Sequence, residues 1–316
     1  MDISIVIPLL NEEESLPELM RWISKVLEQH NLSYEVIMID DGSTDNSWKV
    51  IEEMKPNYPQ LKAVKFRRNY GKSPALHTGF QIAEGEVVIT MDADLQDSPE
   101  EIPELYRMID EDKYDLVSGW KQKRHDPISK RWPSKFFNFT TRITTGIKLH
   151  DFNCGLKAYR LSVVKSIEIF GEMHRYIPVL AKRAGFKNIG EKVVQHQARK
   201  FGKTKFGFER YINGYLDLLT VLFITRFGKK PMHFFGILGS FVFLLGFASA
   251  AYLGINKLIA VSNGIHIERV TESPYFYLAL TSIILGFMLF LTGFLGELIS
   301  RSASDRNNYI IEKEIK

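Results

Sequence analysis

Apolar positions along the 316 residues recur first with strand and helix periods and then, near the C-terminus, run on without charged interruption. Ile3 to Pro8 is an apolar, β-rich run that stops in Asn11-Glu12-Glu13-Glu14-Ser15, after which Leu16, Leu19, Met20, Ile23, Val26 and Leu27 return with helical spacing. The pair repeats. Tyr34 to Ile39 predicts a strand that ends in Asp40-Asp41-Gly42-Ser43-Thr44-Asp45, where Gly42 permits a turn and Ser43, Thr44 or Asp45 caps a helix through Trp48, Ile51 and Met54. A third unit leads from Leu61 to Phe66 through Arg67-Arg68-Asn69-Tyr70-Gly71-Lys72 into a helix over Ala75 to Ala83. The fourth strand, Val87 to Met91, is bounded by Gly85 behind and Ser98-Pro99 ahead. An amphipathic segment around Ile102 to Ile109 follows, with further strands over Asp115 to Gly119 and Leu156 to Arg160. Strands alternating with helices imply an α/β fold whose mostly parallel sheet is covered on both faces.

Polar residues collect where the predicted strands stop. In open α/β sheets ligands sit beyond the carboxyl ends of the strands, and Asn11-Glu12, Asp40-Asp41, Arg68 to Lys72 and Asp92 to Gln96 all fall there. In extended chain Asp92, Asp94 and Gln96 would point to one side, presenting hard oxygen ligands for a divalent cation beside a phosphate-bearing ligand. A solvated turn is the competing reading, since Asp collects in turns. An EF-hand fits poorly, because the sixth position is Asp97 and the twelfth is Pro103. Neither GxGxxG nor GxxxxGK[ST] is present, so a nucleotide would be held in another way.

Two stretches, Lys230 to Lys257 and Glu272 to Glu297, contain no charged residue between their ends. Each exceeds the roughly 20 residues that cross a bilayer, so spans are expected over Pro231 to Asn256 and Pro274 to Gly296. Arg226, Lys229 and Lys230 before the first and Arg301 and Arg306 after the second, against Lys257 and Arg269 between them, put both ends on the cytoplasmic side. Phe206 to Phe227 reads as a helix lying in the interface plane. Met1-Asp2 has no basic n-region and the run Ile3 to Leu10 ends at Asn11, so no secretory signal is expected and the large N-terminal part stays in the cytosol. A single cysteine, Cys154, agrees with a reducing compartment. The net charge of +4 is modest, yet Arg199 to Arg210 holds five basic residues against one acidic. That strip fits anionic headgroups and makes nucleic acid unnecessary as a partner. Six cations, Lys121, Lys123, Arg124, Lys130, Arg131 and Lys135, precede Phe136-Phe137 and would suit an anionic, membrane-borne substrate, although such runs are commonly solvated faces. Gly236, Gly239, Gly293 and Gly296 permit helix association and hence a homo-oligomer.

The ordered motifs Ile-Val-Ile-Pro-Leu-Leu-Asn-Glu, Asp-Asp-Gly-Ser-Thr-Asp, Arg-Asn-Tyr-Gly-Lys and Asp-Ala-Asp-Leu-Gln-Asp resemble the family 2 glycosyltransferases of GT-A fold. Within these the chain is similar to the polyprenyl-phosphate glycosyltransferases, the group that includes dolichol-phosphate mannose synthase, undecaprenyl-phosphate glucosyltransferases and the undecaprenyl-phosphate formamido-arabinose transferase. Cys154 to Arg160, Phe201 to Lys205 and the paired spans extend the match over nearly the whole chain. The resemblance implies that Asp40 reads the base, with Pro8 and Glu12 lining its pocket and Lys72 on the nucleotide sugar. It implies that Asp94, with Asp92 and Gln96, holds Mg²⁺ or Mn²⁺ against the donor diphosphate. Arg124, Arg131 and Ser134 then grip the acceptor phosphate, and Arg199 and Lys205 lie on a loop closing over the site. Asp94, Arg131 and Asp151 are the catalytic candidates, Asp151 as a base or an orienter of cations, with a turn-capping role as the plainer alternative.

The expected reaction is inverting transfer of one sugar from a nucleotide-diphosphate sugar, UDP favoured over GDP, to a polyprenyl phosphate at the cytoplasmic membrane. The expected domains are a catalytic domain over 1–205, juxtamembrane helices over 206–230, two spans over 231–300 and a cytoplasmic tail over 301–316. Three rivals differ in class. A processive polysaccharide synthase needs more spans and commonly carries Gln-x-x-Arg-Trp, whereas Gln195 and Gln197 are followed three residues on by Ala198 and Lys200. A noncatalytic nucleotide-binding scaffold would not need Asp92 and Asp94, and a two-span transporter subunit would not turn over nucleotide sugar.

Overall fold

A computed structural model describes residues 1–122, 138–169, 171, 173–197, 200, 220, 223, 227, 230–265 and 269–302. The chain divides into two compact units, Met1–Leu222 and Phe223–Lys316.

In the first unit the described strands are β1 (Ile3–Leu9), β2 (Tyr34–Asp40), β3 (Leu61–Lys65), β4 (Val87–Thr90), β5 (Leu116–Trp120), β6 (Lys157–Arg160) and β7 (Ile189–Val193). They form one sheet in the order β3-β2-β1-β4-β6-β5-β7. β3, β2, β1 and β4 are parallel, with Ile3 opposite both Tyr34 and Val87. β6 runs antiparallel to β4 and β5, and β7 is parallel to β5. The helices are α1 (Leu16–Gln29), α2 (Ser47–Met54), α3 (Lys72–Ile82), α4 (Ile102–Asp110), α5 (Leu161–Lys165) and α6 (Ile177–Arg183).

Both sheet faces are covered, which is why the parallel strands read as continuous apolar runs. Ile3, Ile5, Ile7, Val36 and Met38 pack with Leu16, Leu19, Met20, Ile23 and Leu27 of α1 and with Ile102, Leu105 and Ile109 of α4. On the opposite side α3 lies so close to β1 that a Cβ on Gly79 would collide with Val6. The chain winds from β1 outward to β3 and then crosses to β4 on the other side of β1. The sheet therefore has its switch point between β1 and β4, and in open α/β sheets ligands sit beyond the strands' carboxyl ends at such a point.

The second unit holds α7 (Pro231–Ser262) and α8 (Pro274–Ser302), each longer than its charge-free core. They form an antiparallel hairpin. A Cβ on Gly239 would lie 2.6 Å from the Gly286 carbonyl oxygen, and one on Gly246 would lie 2.8 Å from the Ala279 carbonyl oxygen. Gly293 likewise faces Phe235 and Gly236. Glycines that the sequence offers for association between copies thus serve contact within the hairpin, where small residues let backbones approach. Only 17% of the most apolar window of each helix is buried, so the remaining Phe and Leu surface is suited to lipid and not to a protein core. The chain is a membrane protein.

Candidate active site

The strand ends are laced together from β1 to β4. Asn11, with φ of 52°, donates its N–H to Ser43 Oγ at 2.9 Å and accepts the Thr44 N–H at 2.8 Å, while the Glu12 N–H reaches Ser47 Oγ at 2.9 Å. The helix after β2 begins at Ser47, whose N–H is accepted by Asp45 at 2.9 Å; its cap position is Asn46, three residues beyond the earliest cap expected. Asp41 accepts the N–H groups of Tyr70 at 2.7 Å and Gly71 at 2.8 Å, fixing the approach to α3. Burial pushes the Asp41 carboxyl up, against the pull of those two N–H groups. Gly42 sits at φ of 77° with the carbonyl carbon of Arg68 only 2.5 Å from where a Cβ would be, so no side chain fits between these two strand ends. Asp40 is fully buried. Its Oδ1 accepts the Ser43 N–H at 2.7 Å; its Oδ2 lies 3.7 Å from Lys65 Nζ and accepts no hydrogen bond among the described residues.

β4 stops at Thr90, and the chain then turns instead of continuing extended. Leu95 is at φ of 61°, and the Gln96 N–H folds back onto Asp94 Oδ1 at 3.2 Å. Strand alternation therefore does not align Asp92, Asp94 and Gln96; a compact carboxylate loop carries them. Asp92 pairs with Lys72 at the start of α3. Burial opposes ionisation of Asp92, but Lys72 and Lys121 outweigh it and hold the carboxyl well below the usual aspartate range. The carboxylate rests against Gly155, where an added Cβ would lie 2.5 Å from Asp92 Oδ2. Gly155 is itself fixed by its carbonyl, which accepts the Thr90 hydroxyl at 2.8 Å. Asp94 is 9% exposed. Residues 195–197 run beside the loop: the Gln197 N–H donates to the Gln96 carbonyl at 2.9 Å, and His196 bridges Asp97.

Further polar groups gather near this loop, and among them Lys157 was not singled out by sequence pattern. Lys121, expected in an open basic loop, instead points inward to Asp97 at 2.6 Å. Burial alone would favour its neutral form, but the carboxylates of Asp97 and Asp92 keep it protonated. Lys157, on β6, is buried, donates to the Cys154 carbonyl and lies in the field of both Asp92 and Asp151; burial lowers its pKa. Burial pushes the neighbouring Cys154 thiol up to about 12, so it stays protonated. Asp151 is 1% exposed, and its Oδ1 accepts the Asn153 N–H at 3.0 Å, the turn contact named above as its plainer role. His150 stacks on Trp120 at 4.1 Å between centroids, which makes Trp120 a packing residue.

Residues 4–168 match the family model described as glycosyl transferase family 2. Over 322 residues the chain is 34% identical to dodecaprenyl-phosphate galacturonate synthase of Rhizobium johnstonii, covering 99% of this chain and 93% of that one. The chain belongs to glycosyl transferase family 2. This glycosyltransferase is also 35% identical, over 318 residues, to the undecaprenyl-phosphate 4-deoxy-4-formamido-L-arabinose transferase of Pseudomonas syringae pv. syringae, covering 99% of this chain and 91% of that protein. Its fold is that of glucosyl-3-phosphoglycerate synthase from Mycobacterium tuberculosis, solved with Mn²⁺ and UDP-glucose. That structure superposes with a TM-score of 0.54 at 20% identity, over 71% of this chain and 78% of that one. The complex of the same synthase with UDP gives a TM-score of 0.55 at 19% identity, over 71% and 79%.

In this glycosyltransferase Lys72 and Asp92 are in contact, and Asp94 and Gln96 share the next turn. Pro8, Glu12 and Asp40 stand at the ends of β1 and β2 on the same sheet edge. Arg124, Arg131, Ser134, Arg199 and Lys205 lie outside the described residues, as does most of 206–230. Among the described residues no cluster of three or more His, Cys, Asp or Glu side chains forms a metal site. Two hard carboxylates on one loop still fit Mg²⁺ or Mn²⁺, because such ions are commonly held by one or two carboxylates with substrate phosphates completing the shell.

Proposed function

We propose that this glycosyltransferase moves one sugar from a nucleotide-diphosphate sugar to a polyprenyl phosphate at the cytoplasmic face of the membrane, with inversion at the anomeric carbon. The observation that carries the reading is a carboxylate loop with its lysine counter-ion at the switch point of a sheet whose chain continues into two membrane-length helices. Relatives whose names specify polyprenyl-phosphate acceptors match over 99% of the chain, which supports the same acceptor class here.

Asp94 and Asp92, with Gln96, would hold Mg²⁺ or Mn²⁺. Bound there, the ion would supply Lewis-acid neutralisation of charge on the leaving diphosphate. Lys72 adds a positive charge at the same edge. The buried Asp40 Oδ2 can accept an N–H from a base. Uracil and guanine both offer one, so this contact admits a UDP-sugar, the donor favoured from the sequence, and equally a GDP-sugar. Pro8 and Glu12 would line the base pocket. A lipid phosphate is already anionic near neutral pH, so the cations Arg124, Arg131, Arg199 and Lys205, with Ser134, would work mainly by positioning it. Asp151 would orient those cations or act as base from the turn it now caps. The Lys and Arg flanking the spans favour a cytoplasmic-membrane location with both ends inside, the catalytic domain over 1–205 and the spans over 231–300. The test is incubation of the full chain with undecaprenyl phosphate, Mg²⁺ or Mn²⁺ and a panel of UDP-, GDP- and dTDP-sugars, with glycolipid scored by mass and anomeric configuration by NMR. Mass gain of one sugar is expected; no product from any donor would remove the proposal.

A further inference from the structure

Lys72 is followed in the chain by a residue with a long-range polar contact. Ser73, in the first turn of α3, is fully buried, and its hydroxyl meets a single distant residue twice. It accepts the His174 backbone N–H at 3.0 Å and lies 3.1 Å from His174 Nδ1. A serine hydroxyl has one proton to give and two lone pairs, so it can serve both contacts at once. His174 belongs to the short 3₁₀ turn Met173–Tyr176, a hundred residues further along the chain. Burial and the nearby cations Lys72, Arg175 and Lys157 hold this imidazole neutral, so one of its ring nitrogens is an unprotonated acceptor.

The first turn of α3 also buries Ala75, whose N–H donates to the Gly71 carbonyl at 3.4 Å, but it has no side-chain cap. Its cap, Gly71, is at φ of 100° and offers no side-chain bond to the helix; Asp41 restrains only the N–H groups just before it. The Lys72 side chain is 31% exposed and, among the described residues, pairs with Asp92. We propose that Ser73 and His174 form a clamp that positions Lys72 over the carboxylate loop and thereby sets affinity for the nucleotide-sugar donor. This rests on the sugar-transfer reading above. His174 is a positioning residue here: it acts on substrate only through α3.

Steady-state kinetics on the full chain separate the clamp from ordinary packing. The proteins compared are wild type, Ser73→Ala, His174→Ala, His174→Asn and His174→Gln. Losing the clamp is expected to raise the donor KM about tenfold while moving the acceptor KM by less than about twofold. An asparagine amide reaches the position of Nδ1, whereas a glutamine amide reaches that of Nε2. His174→Asn should therefore return the donor KM to within roughly threefold of wild type and His174→Gln should not. The clamp is overturned by His174→Asn no better than His174→Ala at equal thermal stability, by equal losses for donor and acceptor, or by rescue with Gln as good as with Asn. A wild type that makes no glycolipid sinks the sugar-transfer reading alone. UDP and GDP affinities by calorimetry on the same five proteins then test the clamp, which requires the same order of variants.

Discussion

Gly155→Ala places a methyl group where the carboxylate of Asp92 now lies. The new Cβ would stand 2.5 Å from Oδ2, 2.7 Å from Cγ and 2.9 Å from Oδ1, whereas ordinary contact begins near 3.4 Å. The carboxylate must retreat by about 0.5 to 0.9 Å, or the β6 approach must shift by as much. Backbone strain adds nothing, because Gly155 is not among the positive-φ glycines. Asp92 keeps 34% of its side chain exposed and can swing without opening the core, so the fold should survive with a Tm close to wild type. Catalysis should not survive equally well: the retreat shifts the Asp92 carboxylate relative to Lys72 and Asp94, and a misplacement near 1 Å costs on the order of 10²-fold. The expected result is kcat/KM down by about that factor, with weaker Mn²⁺ binding in a metal titration. Full kcat/KM with unchanged metal affinity would refute the reasoning, as would a loss wholly explained by unfolding.

Lys72→Met keeps the stem but removes the ion-pair partner of Asp92. Donor affinity should fall several-fold while Mn²⁺ affinity without nucleotide rises, since a competing cation is gone; calorimetry reads both. Gly286→Val would drive a side chain into the backbone of Phe243 and Gly239. It should lower thermal stability in detergent by about 1 to 3 kcal/mol and expose the hairpin to protease. Glu35, 2% exposed, accepts Ser4 Oγ at 2.6 Å, the Glu84 N–H at 2.8 Å and Lys62 at 2.7 Å. Burial would raise its pKa, but these partners outweigh burial and lower it below the ordinary 4.5. Its stabilising contribution is therefore complete above that value and lost as pH falls through the lower folded value. Tm measured against pH should fall more steeply below 4.5 in wild type than in Glu35→Gln.

The parallel half of the sheet was legible because β1 to β4 are buried on both faces and end in polar turns, so apolar runs and chemistry separate cleanly along the chain. The other half was harder. β7, Ile189–Val193, has no buried residue and includes Glu191 and Lys192, so it carries no apolar signal, and the short helices α5 and α6 are too brief for periodicity to declare them. The strand-end carboxylates were visible as a set, but the assumption of extended chain past Thr90 failed at Leu95, whose positive φ no hydrophobic pattern announces. Lys157 opens the short strand Lys157–Arg160, whose two ends are both charged, so nothing in the local pattern separated its buried amine from the half-buried Arg160. The contacts of Ser73 with His174, Lys121 with Asp97 and Asp92 with Gly155 join positions from 24 to 101 residues apart, and no local pattern encodes them.

Metal-dependent sugar transfer at the carboxylate loop is measured most directly by glycolipid formation from undecaprenyl phosphate and the preferred nucleotide sugar, in wild type and Asp94→Ala, with Mn²⁺ and with excess chelator. The account predicts product from wild type with Mn²⁺, none with chelator, and a rate at least about 10²-fold lower in a folded Asp94→Ala protein. Undiminished transfer by Asp94→Ala, or by wild type stripped of divalent cations, would contradict it.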